Sequence, residues 1–242
     1  MIRLDKFLFE NKYFNSRTKA RESILNMNVK VDNNIITKPS FLINEQNKIE
    51  ILRPNTDFVN RAGVKLQKAV EHYNLSLNDL ICLDIGASKG GFTDVMLKCG
   101  AKKVYALDVG KNQLDNTLLE NEKVISIENC NARYIDKSMF YEDIDFISMD
   151  VSFISACLII PAISNILNKG KKIITLIKPQ FEVGKNKIPK NGVVKNEKDR
   201  KFAIEKVKLS LLENNFKVYD EIISPISGSK GNIEYLILAE KI

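Results

Sequence analysis

The chain has 242 residues, 44% of them apolar, which is enough for one large domain and one small one. Its 37 Lys and Arg against 30 Asp and Glu leave a net charge of +7, which suits an anionic partner and equally a lysine-rich proteome. The 4 cysteines are scattered without a C-x-x-C pair and there is 1 His, so no metal site is expected and the setting reads as reduced and cytoplasmic. The start, MIRLDKFLFENK, carries charges through any apolar region and does not read as a signal peptide. The longest apolar run, FISACLIIPAI, is too short to span a bilayer, so no membrane partner is expected.

Residues 1–53 read as a small α+β module. Leu4, Phe7, Leu8 and Tyr13 fall near helical spacing. Asn15-Ser16 offers an N-cap to a second helix whose apolar face is Ala20, Ile24 and Leu25. Short β pieces follow at 29–31, 35–36 and 48–52. Arg17, Lys19 and Arg21 fall on the exposed side of the second helix. Such a helix pair with a small strand set can grip RNA phosphates, and is also the pattern of an ordinary solvated basic face.

Residues 54–60, beginning PNTD, read as a linker, and 61–242 as the large domain. A helix is expected over 61–73. Strands at 80–86, 103–109, 123–128, 145–151 and 172–178 alternate with helices at 92–99, 111–121, 154–168 and 197–214. The segments 217–224 and 233–241 have no room for a helix between them and predict an antiparallel edge hairpin. The result is an α/β, Rossmann-like fold of seven strands, closer to the class I methyltransferases than to the dinucleotide dehydrogenases.

The loop LDIGASKGG admits three chemistries. Its G-x-S-x-G could be a hydrolase elbow, but the one His, His72, lies upstream and leaves Ser88 without a base. Gly86, Gly90 and Gly91 fit G-x-G-x-x-G poorly. An acidic strand end followed by a Gly-rich turn into a helix fits S-adenosylmethionine. Asp84 would fix its amino end, and Gly86, Ser88 and Gly90 would let the backbone approach. Asp108, 24 residues after Asp84, has the spacing of a ribose-binding carboxylate, though it could also be a plain strand-end turn residue. The turn NCNAR, with Asn131 and Ala132, suits the adenine edge.

Asp150 and Lys178 end two strands and so face the crevice where ligands of open α/β sheets bind; Asp150 also borders the donor. Lys65 and Glu234 can close over the same mouth. The stretch 180–201 carries seven basic and three acidic residues, and its first part reads equally as a mobile loop near the site that closes over RNA or as a solvated connector.

The motifs RLDKFL with SRTKAR resemble an S4-type RNA-binding domain. RAGVKL, CLDIGASKGGFTDVML, YALDVGKNQL, NARY, MDVSFIS, IKPQFEVG and SPISGSKGNIEYL together resemble the TlyA-type, hemolysin A-like ribosomal RNA methyltransferases with an FtsJ-like domain. The resemblance spans nearly the whole chain. It implies 2′-O-methylation of cytidine ribose in RNA of the small or large ribosomal subunits, or of both, by a protein expected to be a monomer. It also implies a Lys-Asp-Lys-Glu tetrad at Lys65, Asp150, Lys178 and Glu234, with Lys178 activating the hydroxyl. Arg3, Arg17, Lys19, Arg21 and Arg61 would contact RNA. Two departures stand out: Lys89 replaces a usual Thr, and Asn28 and Asn33 or Asn34 replace glycines of the small module. Asn tolerates positive φ, so those turns are expected to persist. Competing expectations are a non-catalytic RNA-binding protein on this scaffold, and a membrane-lytic protein, for which no inserting segment is evident.

Overall fold

The computed structural model describes residues 1–14, 16–25, 28–44, 46–51, 58–184, 188, 191–228 and 230–242. The chain divides into two units, Met1–Asp57 and Phe58–Ile242.

In the smaller unit β1 (Ile2–Arg3) leads into α1 (Leu4–Glu10) and α2 (Arg17–Leu25), followed by β2 (Val29–Val31), β3 (Asn34–Ile35), β4 (Leu42–Ile43) and β5 (Ile49–Ile51). Leu4, Leu8, Ala20, Ile24, Val29 and Ile43 close its core. Asn15 of the expected cap lies outside the described residues, but Ser16 Oγ accepts from Lys19 N at 3.2 Å, as an N-cap does. Asp32 and Asn33 adopt φ of 50° and 66° between β2 and β3. Two successive positive φ values make the tight turn whose twist matches a hairpin, and Asn stands there in place of glycine. Strands β1 and β4, which pair antiparallel, were not expected, because two residues are too few to show alternation.

The larger unit contains α3 (Gly63–His72), β6 (Ile81–Ile85), α4 (Gly91–Lys98), β7 (Lys103–Leu107), α5 (Asn116–Leu119), β8 (Val124–Ile127), β9 (Phe146–Met149), α6 (Ile160–Ile166), β10 (Lys172–Ile177), α7 (Pro179–Glu182), α8 (Glu197–Glu213), β11 (Phe216–Ile223) and β12 (Tyr235–Lys241). The strand order is β11-β12-β10-β9-β6-β7-β8. The five strands β10, β9, β6, β7 and β8 run parallel, and β12 returns antiparallel on both neighbours. This is the expected Rossmann-like sheet with its terminal hairpin. All five residues of β6 are buried, as a strand covered on both faces requires. The two halves diverge between β6 and β9, which opens a crevice at their carboxyl ends.

Several boundaries differ from expectation. The helix expected over 111–121 is only one turn, because Asp115 caps it late by accepting from Thr117 N at 3.0 Å, and Asn112 sits at φ 53°. The helix expected over 154–168 splits into a 3-10 turn, Ala156–Leu158, and α6, where Pro161 lies at the helix start and cannot donate to a preceding turn. The stretch 180–201 opens in α7, which was not expected, and closes in α8 as expected, while 185–187 and 189–190 lie outside the described residues. Of the expected linker 54–60, residues 54–57 also lie outside them. Residues 58–60 pack into the larger unit, where Val59 N donates to Asp94 Oδ2 at 2.8 Å and Asn60 Oδ1 accepts from Ala62 N at 2.7 Å.

Candidate active site

The glycine loop follows β6 and turns into α4. Gly86 and Gly90 have φ of 82° and 89°, a region where side chains are strained. A Cβ on Gly86 would lie 2.5 Å from the carbonyl oxygen of Asp150, so the loop and the end of β9 touch only because Gly86 has no side chain. Ser88 is exposed at φ 48°. Its amide donates to Asp108 Oδ2 at 2.8 Å, and Gly110 N donates to Asp108 Oδ1 at 2.7 Å. Asp108 therefore ties the first loop to the second. A carboxylate has about four acceptor sites, so two remain for a diol. Asn131 is half-buried and its Oδ1 accepts from Arg133 N at 3.1 Å; Ala132 is buried beside it.

Asp84 differs from its expected placement. It is fully buried beneath the loop, with Oδ2 accepting from Thr93 Oγ1 at 2.7 Å and Oδ1 from Ser148 Oγ at 3.0 Å. Burial pushes its carboxyl up to about 7, against the two hydroxyls that pull it down. It supports the loop from below and does not line the crevice.

The four widely spaced residues come together as two ion pairs. Lys178 Nζ lies 2.6 Å from Asp150 Oδ1, with side chains 11% and 15% exposed. That contact is an ion pair rather than a well-angled hydrogen bond, so Asp150 Oδ1 retains acceptor capacity. Lys65 Nζ donates to Glu234 Oε2 at 2.6 Å, and both side chains are nearly buried. The strands explain the convergence. β9 and β10 end side by side, and Ile177 pairs with Tyr235, which sets Lys178 level with Glu234 at the start of β12. Lys65 reaches in from α3.

Three side chains beside these pairs were not among the expected site residues. Ser152 Oγ accepts from Lys178 Nζ at 2.8 Å. Phe153 is 93% exposed, sits at φ 65° and meets the Phe181 ring at 5.3 Å. A left-handed phenylalanine costs about 1–2 kcal/mol, so something must hold it. Glu182, 3% exposed, accepts from Ser155 Oγ and Ala156 N. Ser152 and Phe153 stand in the quoted MDVSFIS motif, but no periodicity marks a strained exposed loop. The only sequence signal is their position just past a strand's carboxyl end.

In the smaller unit Lys19 and Arg21 are exposed. Arg3 and Arg17 both donate to Asp5, which is fully buried: Arg3 Nε reaches Oδ1 at 2.9 Å and Arg17 Nη2 reaches Oδ2 at 3.0 Å. The Arg3 hydrogen bond holds the Asp5 carboxyl below its usual range. About half of each arginine side chain remains exposed, 44% and 48%. Arg61, in the larger unit, is half-buried just before α3.

A family model of FtsJ-like methyltransferases matches residues 58–241. The chain belongs to that family. A model of the S4 domain matches residues 2–49. Hemolysin A of Brachyspira hyodysenteriae is 44% identical over 97% of this chain and 98% of its own length. The 16S/23S rRNA (cytidine-2′-O)-methyltransferase TlyA of Mycobacterium tuberculosis is 32% identical over 97% of this chain and 88% of its own. A solved structure from Streptococcus thermophilus, 40% identical, superposes with a TM-score of 0.79 over 99% of this chain and 88% of that one. This member of the FtsJ-like family thus carries the TlyA and hemolysin A arrangement from end to end. Among the described residues, no helix is long and apolar enough to cross a membrane, and no cluster of three potential metal ligands occurs.

Proposed function

We propose that this chain transfers a methyl group from S-adenosylmethionine to the ribose 2′-hydroxyl of cytidine in ribosomal RNA. The observation that carries the reading is the two ion pairs, half-buried Lys178–Asp150 and buried Lys65–Glu234, beside a glycine loop at the switch point of the sheet. The TlyA relative, named for this reaction, gives the substrate class.

The cradle fits the donor. Gly86 and Gly90 supply the loop's two left-handed turns, packed closely on the Asp150 carbonyl and on Leu114 and Leu118, Asp108 keeps acceptor sites for the ribose hydroxyls, and Asn131 and Ala132 flank the adenine position. S-adenosylmethionine, when bound, supplies an electrophilic sulfonium methyl. The chain's residues act on the acceptor. Lys178 Nζ orients the 2′-oxygen, and the Asp150 carboxylate paired with it takes up the hydroxyl proton. Lys65 and Glu234 compensate each other and keep the mouth of the site rigid and neutral. Phe153, exposed and pre-set beside Lys178, offers a face on which an unstacked base can rest. Arg3, Arg17, Lys19, Arg21 and Arg61 bind backbone phosphates. Arg3 and Arg17 keep exposed donors while anchored on Asp5. The protein works as a monomer in the cytoplasm on one or both ribosomal subunits.

The test is transfer of labelled methyl groups from S-adenosylmethionine to purified ribosomal subunits, with mass-spectrometric mapping of 2′-O-methylcytidine. Lys178→Ala is expected to lower kcat by about 10²–10⁴-fold with donor binding intact. Near-native transfer by that variant sinks the role given to Lys178. A wild-type chain that binds RNA without donor affinity in calorimetry is a non-catalytic binder instead.

A further inference from the structure

Glu182 is a buried carboxylate that the proposed chemistry does not use. It is 3% exposed and ends α7, one turn after Lys178. It accepts from Ser155 Oγ at 2.5 Å, from Ala156 N at 2.8 Å and from Lys206 Nζ at 3.1 Å. Lys206 Nζ, on α8, also donates to the Glu182 carbonyl oxygen at 3.0 Å. One carboxylate therefore joins α7, the loop after β9 and α8. A buried carboxylate is tolerated only when charge and hydrogen bonds compensate it, and here Lys206, a hydroxyl and an amide do so.

These contacts close a ring of chain around the reactive amine. At one end Lys178 Nζ meets Asp150 and Ser152; at the other Glu182 meets Ser155 and Ala156. Between them Phe153 is held at φ 65° with its ring against Phe181. A strained left-handed residue relaxes unless its surroundings over-determine it. Lys178 alone cannot do this, because its flexible stem follows the loop wherever it goes. We infer that Glu182 is a positioning residue: its carboxylate keeps Phe153 left-handed and thereby keeps the Ser152 hydroxyl on the Lys178 amine. The inference rests on the reading of Lys178 as the activating amine.

The experiment is a double-mutant cycle on kcat with full-length protein and ribosomal subunits. Glu182→Ala is expected to lower kcat by about 10²-fold, the scale of a misplaced catalytic group, with donor Kd unchanged. Asn accepts the left-handed region readily, so Phe153→Asn removes the strain that Glu182 opposes. In that background Glu182→Ala is expected to cost roughly tenfold less, one decade of the transition-state scale. Glu182→Gln keeps one acceptor oxygen and is expected to fall between wild type and Ala. It replaces Ala in the cycle if Glu182→Ala fails to fold. An equal kcat loss in both backgrounds means a general structural role and overturns the inference, as does unchanged kcat in Glu182→Ala. Lys178→Ala, assayed alongside, separates the two readings. If it is inactive while Glu182→Ala is fully active, only the positioning role falls; if it is active, the reading of Lys178 falls and takes this inference with it.

Discussion

The Lys65–Glu234 pair gives the sharpest energetic prediction. Nζ and Oε2 stand 2.6 Å apart, with side chains 9% and 3% exposed. At an effective dielectric near 20 their attraction is about 6 kcal/mol. Desolvating both ions costs several kcal/mol each, so the pair contributes little net stability. Removing one partner is different, because the other charge stays buried without compensation. Lys65→Met or Glu234→Leu alone is therefore expected to destabilise the larger unit by about 3–5 kcal/mol. For a unit of this size that lowers Tm by about 6–20 °C. The double variant replaces both ions with apolar groups and is expected to recover most of the loss, so its cost falls well below that of either single variant. All three variants should lose methyl transfer. Urea unfolding followed by circular dichroism, with the transition of the larger unit fitted separately, measures each ΔG. Single variants costing less than about 1 kcal/mol, the range of an exposed pair, would refute the reasoning. So would a double variant whose loss is the sum of the two.

Three further outcomes follow from the glycine loop after β6. Asp84 is 3.8 in its reference state and about 7 in the fold, so between those values the folded chain holds a proton that the unfolded chain has released. The stability it confers at acid pH is lost as pH rises from about 4 to about 7, a change of about 4 kcal/mol at 1.36 kcal/mol per pH unit. Asp84→Asn should flatten that slope in unfolding titrations, and an unchanged slope would count against it. Asp108→Ala removes the acceptor from Ser88 N and Gly110 N. At about 1.5–3 kcal/mol for each such bond, donor Kd measured by calorimetry should rise at least 10-fold, with Asp108→Asn intermediate. Gly86→Ala places a Cβ 2.5 Å from the Asp150 carbonyl at φ 82°. Strain of about 1–3 kcal/mol should weaken donor binding and displace Asp150, so Kd and kcat should worsen together.

Much of the architecture was legible because buried parallel strands must be apolar runs of strand length. Each of the five runs read from the sequence lies within the sheet, and the last two segments pair as the antiparallel hairpin. The helices expected over 61–73, 92–99 and 197–214 match α3, α4 and α8 to within two residues at each end. Helices were misread over 111–121 and 154–168, where Asp115 and Pro161 determine local starts that periodicity does not register. Asn33 was legible as a substitute for glycine because its tolerance of positive φ is a property of the residue itself.

The residue types of the site were likewise present in the sequence: a glycine loop, acids at strand ends, and two lysines. Their partnership was not. That Lys65 pairs with Glu234, 169 positions away, depends on β12 lying beside β10, a consequence of strand order that no local pattern contains. Asp84 looked like a ligand contact because it ends a strand. Only the packing of Thr93 and Ser148 over it shows a buried support instead. Glu182 read as one acid in a basic stretch, and it becomes the anchor of a strained loop because α8 brings Lys206 onto it. Composition and period establish which groups the chain possesses. Burial and strand order, which arise from contacts distant in sequence, decide which of them carry charge in each other's presence.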